Sequence, residues 1–415
     1  MQQYKPEDAR IPQLQTRAPR AAIIYPWFGH YRRAVFRSLG RSQEAQYEGV
    51  SDITSNLDSL PVLFGDPKDG AALFPHTRVR NRFFFTYFLW QQGVLSFALS
   101  RKVDVLVLID NVTYLSNWVA LLLGRLTGKR VLFWGHGFTR SKLTLKERIR
   151  TFFYRLAHGH MVYGHYSRDI MLKRGFDADR VYVIYNSLDL EEQQRVQAEF
   201  TPETLHAARA QLFKHPERPL LVTVGRLVAR KKFDALIRAA GLLAKQGRPV
   251  NVAVIGKGQE QEKLKALAQA QGDGCEIILP GAIYDEAKLG PILAAADLCV
   301  IPGRIGLSCM HALGYGTPVI AQGNFDEQNP EFEAILPGET GAFFRDDDDE
   351  DLARVIVTWL DEHADRERVR KACHAIIKDY YDPDVQRELI DYAVKGGPAR
   401  GCPKASNPPR RFWSL

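Results

Sequence analysis

Short apolar runs alternate with amphipathic stretches along most of this chain. Residues 21–25 (AAIIY), 103–109 (VDVLVLI), 130–134 (RVLFW), 161–163 and 181–184 have the length and composition of buried strands. Between them, residues 31–39, 116–128, 138–159 and 167–175 repeat apolar positions at helical spacing. A second series starts at 220–224 (LLVTV), with strands at 250–255, 276–279, 297–302, 319–320 and 341–344. Helices are expected at 233–246, 259–271, 286–296, 307–314, 331–336, 348–362 and 364–394, the last broken near Asp382-Pro383. Residues 47–51 add a strand, and 52–79 read as loop. Residues 83–100 hold Phe83, Phe84, Phe85, Tyr87, Phe88 and Trp90, with Arg78, Arg80, Arg82, Arg101 and Lys102 around them. This stretch predicts a buried helix with a cationic rim, or a surface that docks on an anionic membrane.

Strand–helix alternation gives parallel sheets with helices on both faces. The fold class is therefore α/β with two Rossmann-like domains. The expected division is a loose arm at 1–20, an N-terminal domain at 21–190, a linker region at 191–219 and a C-terminal domain at 220–370. A helical segment at 371–395 and a tail at 396–415 with the composition of disorder follow. Ligands in such folds sit at the carboxyl ends of strands, so the cleft between the domains is the expected site.

Composition changes this picture in two ways. The chain has 415 residues and a net charge of +8, and the charge is uneven. Residues 1–190 carry 27 Lys and Arg against 15 Asp and Glu; the remainder carries 29 against 33. A basic first half suits an anionic membrane or phosphorylated ligands, with Lys142, Lys146 and Arg150 on the basic helix the expected membrane contacts. No nucleic-acid partner is expected, because no binding module accompanies the charge. The five cysteines, Cys275, Cys299, Cys309, Cys373 and Cys402, are scattered without a CxxC pair. That fits a reducing compartment and argues against a disulfide framework or zinc site. With no apolar leader and no run of membrane-spanning length, the expectation is a cytoplasmic protein, peripheral at the inner face of a membrane.

Two stretches carry chemistry. In 297–320 (DLCVIPGRIGLSCMHALGYGTPVI), a strand ends in a loop with Gly303 and Gly306 at its ends and feeds a helix. Unpaired N–H groups and the helix dipole make such a terminus an anion site. In 225–232 (GRLVARKK), Arg226 and Lys231 lie five apart after a strand, where they can reach a diphosphate from two sides. The acidic run 346–351 (DDDDED) precedes a helix and reads as a cap. His158, His160 and His165 lack a partner set and read as core or surface.

VTVGRLVARKKFDALIRA, VAVIGKGQEQEKL, ILPGAI, ADLCVIPG, ALGYGTPVIA and EAILPGETGAFF occur in this order. Together they resemble the retaining glycosyltransferases of family 4, strongly over 220–360 and more loosely over 21–190, where WGHG and VIYNSLD add to the likeness. The resemblance implies a GT-B fold, two Rossmann-like domains facing across a cleft, with a C-terminal helix crossing back to the N-domain. It implies transfer of a sugar from a nucleoside-diphosphate donor, UDP or GDP, to an acceptor hydroxyl with retention. The acceptor class is a saccharide or lipid-linked saccharide, in polysaccharide or glycolipid synthesis, with no cofactor and no metal. Arg226 and Lys231 match the catalytic pair on the donor diphosphate. Gly29, Gly225, Gly306, Leu307 and Ser308 match its diphosphate contacts. Gly256, Gly258, Ala282, Ile283 and Tyr284 match the nucleoside side, and His136 and Glu333 the donor-sugar side.

The chain departs from the family where two glutamates stand eight residues apart: those positions are Gly303 and His311. The resemblance then leaves the ribose to His311, and the donor sugar to the Gly303 N–H, Ser308, Glu331 or Glu333. A non-catalytic binding protein and a nucleotide-sugar epimerase of the same fold are the alternatives.

Overall fold

β1 (Arg20–Ile24), rich in β-branched and small apolar residues, is buried from Ala21 onward and starts a seven-stranded sheet. The other strands are β2 (Gln46–Ser51), β3 (His76–Arg78) and, beyond a hairpin of β4 (Arg80–Phe84) and β5 (Phe88–Gln92), β6 (Val105–Ile109), β7 (Arg130–Gly135), β8 (Gly159–Val162) and β9 (Val181–Val183). Their order is β3-β2-β1-β6-β7-β8-β9, and every neighbouring pair is parallel. The computed structural model describes residues 17–54, 62–64, 73–140, 144–404 and 409–413. Helices α1 (Arg33–Gly40), α2 (Val94–Leu99), α3 (Leu115–Leu126), α4 (Leu145–Arg155) and α5 (His165–Lys173) connect these strands.

The second sheet holds β10 (Leu220–Val224), β11 (Asn251–Ile255), β12 (Glu276–Gly281), β13 (Leu298–Ile301), β14 (Val319–Gln322) and β15 (Gly341–Phe344). It is parallel throughout, in the order β12-β11-β10-β13-β14-β15. Its helices are α6 (Leu190–Gln197), α7 (Pro202–Ala210), α8 (Phe233–Lys245), α9 (Gln261–Gln269), α10 (Glu286–Ala295), α11 (Leu307–Gly314), α12 (Asp349–Glu362) and α13 (Arg366–Tyr380).

The chain divides into two units, 1–185 with 383–407 and 186–382 with 408–415. The 191–219 region, read as a linker, forms α6 and α7 within the second unit. The last helix, α14 (Pro383–Lys395), belongs to the first unit and packs on α1. Asp391 accepts hydrogen bonds from Ser42 (2.9 Å) and Tyr47 (2.6 Å), and Gln386 donates to the Tyr185 carbonyl at 2.7 Å.

Three local expectations change. Residues 83–100 are no single helix: β4 and β5 pair antiparallel from Arg80–Gln92 to Phe84–Phe88, and only α2 is helical. Phe85 and Thr86 make the turn at φ 47° and 60°, without the Gly or Asn that signals such a turn in sequence. The expected helix over 138–159 shortens to α4, and Arg150 faces inward. It donates to the Gly137 carbonyl at 2.6 Å and the Tyr154 hydroxyl at 2.9 Å, over the Phe138 and Tyr154 rings. Lys142 lies outside the described residues. The tail, expected to lack structure, makes contacts where it is described. The Tyr182 hydroxyl donates to the Gly397 carbonyl at 2.6 Å, and Phe412 lies 5.2–6.2 Å from the rings of Phe325, Phe332 and Phe343. Its aromatic residues find an apolar cluster, which a polar average composition conceals.

Candidate functional site

In each sheet the first strand of the unit is central, and chain order reverses beside it, at β1/β6 and β10/β13. Ligands of open parallel sheets bind at the carboxyl ends of such pairs. In the second unit those ends carry the 225–232 and 302–306 loops, the two stretches singled out above. The loops touch through backbone: the Arg304 N–H donates to the Arg230 carbonyl at 3.0 Å. Lys231 closes a 3₁₀ turn (Ala229–Lys231), and its Nζ donates to the Arg304 carbonyl at 2.6 Å. A Cβ built on Gly306, the N-cap of α11, would lie 3.6 Å from that Nζ. The ammonium thus sits beside a helix N-terminus.

No carboxylate lies within 4 Å of Lys231 among the described residues. Burial pushes its ammonium down to about 8; Arg230, Arg226 and Arg304 push the same way, and Glu331 opposes them. Arg226 is exposed on the same turn. Cations gathered at a helix N-terminus suit an anion such as phosphate.

The glycine turns bring the loops into register. The Gly225 N–H donates to the Ile255 carbonyl at 3.0 Å, and the Leu227 N–H to the Lys257 carbonyl at 2.9 Å. A Cβ on Gly256 would sit 1.8 Å from the Gly225 carbonyl oxygen, and one on Gly258 2.2 Å from that of Leu227. Only glycine permits this approach. Ala282, Ile283 and Tyr284 follow β12, whose last residue accepts from the Gly256 N–H at 2.9 Å. The Tyr284 ring is exposed just before Asp285, which caps α10. Leu307 and Ser308 open α11.

Glu331 and Glu333 lie in a buried 3₁₀ turn, Pro330–Ala334. Glu331 is 3% exposed; its Oε1 accepts from Asn186 Nδ2 at 3.0 Å, and its Oε2 is buried without a partner. Glu331 is the side chain here with an acceptor to spare. Gly303 packs where no side chain fits, its would-be Cβ 2.4 Å from the Arg230 carbonyl oxygen.

His311, one turn into α11, is held by a carboxylate from another helix. Its Nε2 lies 2.7 Å from Glu286 Oε1, which also accepts from the Tyr315 hydroxyl at 2.7 Å. Burial opposes ionisation of Glu286, yet the bonds from His311 and Tyr315 hold its carboxyl below the ordinary range. A depressed carboxyl stabilises the fold above its unfolded pKa, about 4.3, and that contribution vanishes as pH falls through the folded value. Glu286→Gln is therefore expected to lower the melting temperature at neutral pH and to converge with the native protein below pH ~4. A gap of constant size across that range in thermal melts would remove this role.

Gly29 and His136 lie in the first unit, after β1 and β7. Gly29 caps the 3₁₀ turn His30–Arg32, and a Cβ there would strike the Tyr31 ring. His136 is exposed, its ring 5.0 Å edge-on to Tyr163. Asp110, after β6, fixes this loop: its Oδ2 accepts from the Gly137 N–H at 2.9 Å and the Tyr154 hydroxyl at 2.8 Å. Arg32 stacks over Tyr25, Trp134 and Tyr163 and donates to the Tyr163 hydroxyl at 2.5 Å.

The acidic run is structural. Asp348 caps α12, Lys232 pairs with Asp346 and Asp347 at 2.7 Å, and Arg238 holds Asp349. His158 and His160 are core residues whose imidazoles burial pushes down to about 4 and about 3. Sequence reasoning missed Glu286, Tyr315, Asn186, Asp110 and Arg32, which reach their partners only through the fold. Asp110 alone had a local signal, its place at the end of a buried strand.

Residues 206–374 match the model of the glycosyl transferases group 1, and residues 61–192 that of Glycosyltransferase Family 4. The D-inositol 3-phosphate glycosyltransferase of Nocardia farcinica is 29% identical over 216 residues, 49% of this chain and 44% of that protein. A glycogen synthase of Anaeromyxobacter is 29% identical over 158 residues, 37% and 32% of the two chains. The chain thus spans less than half the length of these curated relatives. Anabaena Alr3699/HepE, solved with UDP, superposes with a TM-score of 0.66 at 16% identity, over 90% of this chain and 98% of that one. The lipopolysaccharide outer core galactosyltransferase WaaB gives 0.65 at 15%, over 90% and 99%. The two glycosyltransferase family matches follow one another along an architecture that superposes on these solved chains, and the fold is GT-B.

Proposed function

We propose that the protein moves a glycosyl unit from a nucleoside-diphosphate sugar to an acceptor hydroxyl with retention of anomeric configuration. The donor is a UDP or GDP sugar and the acceptor a saccharide or lipid-linked saccharide, in polysaccharide or glycolipid synthesis. The observation that carries this reading is Lys231, a buried cation beside the α11 N-terminus and among three arginines, with no salt bridge to a carboxylate among the described residues. Alr3699/HepE, solved with UDP and with UDP-glucose, supports a uridine donor.

In this mechanism the bond from the anomeric carbon to the diphosphate oxygen breaks, and its electron pair leaves with the diphosphate. Arg226, Lys231 and the N–H groups of Gly306, Leu307 and Ser308 stabilise the charge that develops. The acceptor oxygen bonds to the same face of the sugar, and its proton passes to the departing diphosphate. Gly225 lets the backbone approach the phosphates. Gly256, Gly258, the 282–284 backbone and His311 hold the nucleoside. Glu331 Oε2 accepts from a sugar hydroxyl, with Glu333 and the Gly303 backbone beside it; Gly29 and His136 are the residues that the first unit offers to the donor. The cations do the work of a divalent metal, so EDTA is expected to leave turnover unchanged.

A thermal-shift panel of nucleoside diphosphates tests the reading. At a hundredfold excess over Kd the matching nucleotide adds about 2.7 kcal/mol, a rise of roughly 5–10 °C for a unit of this size. Release of that nucleoside diphosphate from a matching sugar donor is the expected turnover. A shift without release from any sugar donor would favour a binding protein; no shift at all would remove the nucleotide site.

A further inference from the structure

We propose that the first unit carries a membrane-docking face, made by the β4–β5 hairpin tip and the outer sides of α3 and α4. Its partner is a bilayer surface rich in anionic lipid. This surface uses none of the donor-site residues and does not depend on the sugar-transfer reading.

The hairpin is anchored at its base and bare at its tip. Asn81 binds Asp52 and the Pro26 carbonyl, and Gln91 donates to the Tyr25 carbonyl at 2.9 Å. Beyond these anchors, Phe85 is 87% and Tyr87 75% exposed, with Phe84 and Phe88 exposed beside them. Phe85 and Thr86 hold left-handed φ values of 47° and 60°. Such backbone strain at non-glycine residues, with no burial to offset it, marks a functional constraint.

The tip continues into two helices. The Leu89 N–H donates to the Thr113 carbonyl at 3.0 Å, joining the hairpin to the start of α3. Along α3, Leu115, Leu122 and Leu126 are exposed at helical spacing. Trp118 stacks on Phe152 of α4, at 6.3 Å between ring centres. Along α4, Leu145, Ile149 and Phe152 form a second exposed stripe. Monomeric proteins seldom leave so many large apolar groups contiguous and uncovered.

Charge selects the occupant. No Asp or Glu occurs from 70 to 103 or from 111 to 146, while Arg78, Arg80, Arg82, Arg101, Lys102, Arg125 and Lys146 do. The one acid of α4, Glu147, pairs with Arg174 at 2.9 Å and Arg150 at 3.7 Å. An apolar face whose rim is mostly cationic, with Glu147 of α4 and Asp52 beside Arg78 each paired to arginine, fits anionic headgroups over acyl chains better than its own like-charged copy. Aromatic residues at the tip suit the headgroup–acyl boundary.

The test is cosedimentation with phosphatidylcholine vesicles, with and without about 30% phosphatidylglycerol. Binding is expected only to the anionic vesicles and is expected to fall as salt is raised. Phe85→Ser with Tyr87→Ser is expected to weaken it roughly tenfold, as is Arg80→Glu with Arg82→Glu, through loss of buried apolar area and of headgroup attraction. Both pairs are on exposed positions and are expected to keep the native melting temperature and nucleotide shift, which separates docking from folding and from the donor site. Equal binding to neutral vesicles, binding insensitive to salt, or variants that bind as the native chain would overturn the proposal. A dimer in sedimentation velocity that Phe85→Ser abolishes would give the face to a second copy and equally overturn it.

Discussion

Lys231→Ala is expected to lower turnover roughly 10²–10³-fold, the usual loss on deleting one preorganised donor to developing charge, while the protein stays folded. Its ammonium is bound by one carbonyl and crowded by three arginines, so in the unliganded protein it pushes against its own charge. Diphosphate relieves that crowding, and relieves it most when the leaving group carries most charge. The pH dependence follows. With a pKa of about 8 in the free protein, the lysine loses its proton as pH rises through that value, and kcat/KM for the donor falls with it. Bound diphosphate raises the same pKa, so kcat stays flat further into the alkaline range. Stability moves the other way. Between about 8 and the unfolded value near 10.4 the unfolded chain holds more protons, so the fold gains stability as pH rises there. Lys231→Ala removes the buried charge, and its melting temperature at neutral pH is expected to equal or exceed the native one. Near-native kcat/KM in the variant, or an alkaline limb that survives it, would dismiss Lys231 as the phosphate contact. Arg226→Ala is expected to lower turnover in the same direction while keeping the alkaline limb, because Lys231 is still present.

Gly303→Glu, which installs the glutamate that the resembled family's pattern would place here, is expected to damage the protein rather than improve it. A Cβ at Gly303 meets the Arg230 carbonyl oxygen at 2.4 Å and the Lys231 carbonyl at 2.6–2.7 Å. These are backbone atoms and cannot swing aside. On the other flank Gln328 grips the Ile305 N–H at 2.7 Å and Asn329 donates to the Ile305 carbonyl at 2.8 Å. The loop has nowhere to go without taking Lys231 with it. Overpacking of this kind costs about 1–3 kcal/mol, or roughly 3–10 °C for a unit of this length. Donor turnover is expected to fall at least tenfold. Gly303→Ala shares the clash without the charge and is expected to lose nearly as much stability. If either variant melts with the native protein, the 303–306 loop is not held as described; a more active Gly303→Glu would mean the sugar contact belongs to this position after all.

The residues most legible in sequence were those whose partners lie nearby in the chain. Gly303, Gly306, Arg226 and Lys231 stood out because strand, glycine turn and helix follow one another locally. Glu286 did not, because it meets His311 across 25 residues and between two helices. Asn186 and Glu331 are 145 apart. The first pairing also bears on the motif: where the resembled family's pattern would place a carboxylate stands His311, with the Glu286 carboxylate 2.7 Å away. The hairpin failed for another reason. An unbroken FFFTYF run has no period to choose between strand and helix, and a turn made by Phe85 and Thr86 carries no punctuation.

The return of α14 to the first unit has a consequence for biosynthesis. The sheet and helices of the second unit lie within the continuous stretch 186–382, whereas the first unit waits for a helix that leaves the ribosome roughly 200 residues after its last strand, a delay of about 10–40 s. During that interval the outer side of α1, with Ser42 and Tyr47, lacks the Asp391 carboxylate that later accepts their hydrogen bonds. The nascent first unit is therefore the stretch on which a chaperone has most time to act, and a premature stop at 382 strands a chain whose first unit lacks its closing helix and whose second lacks only its aromatic tail.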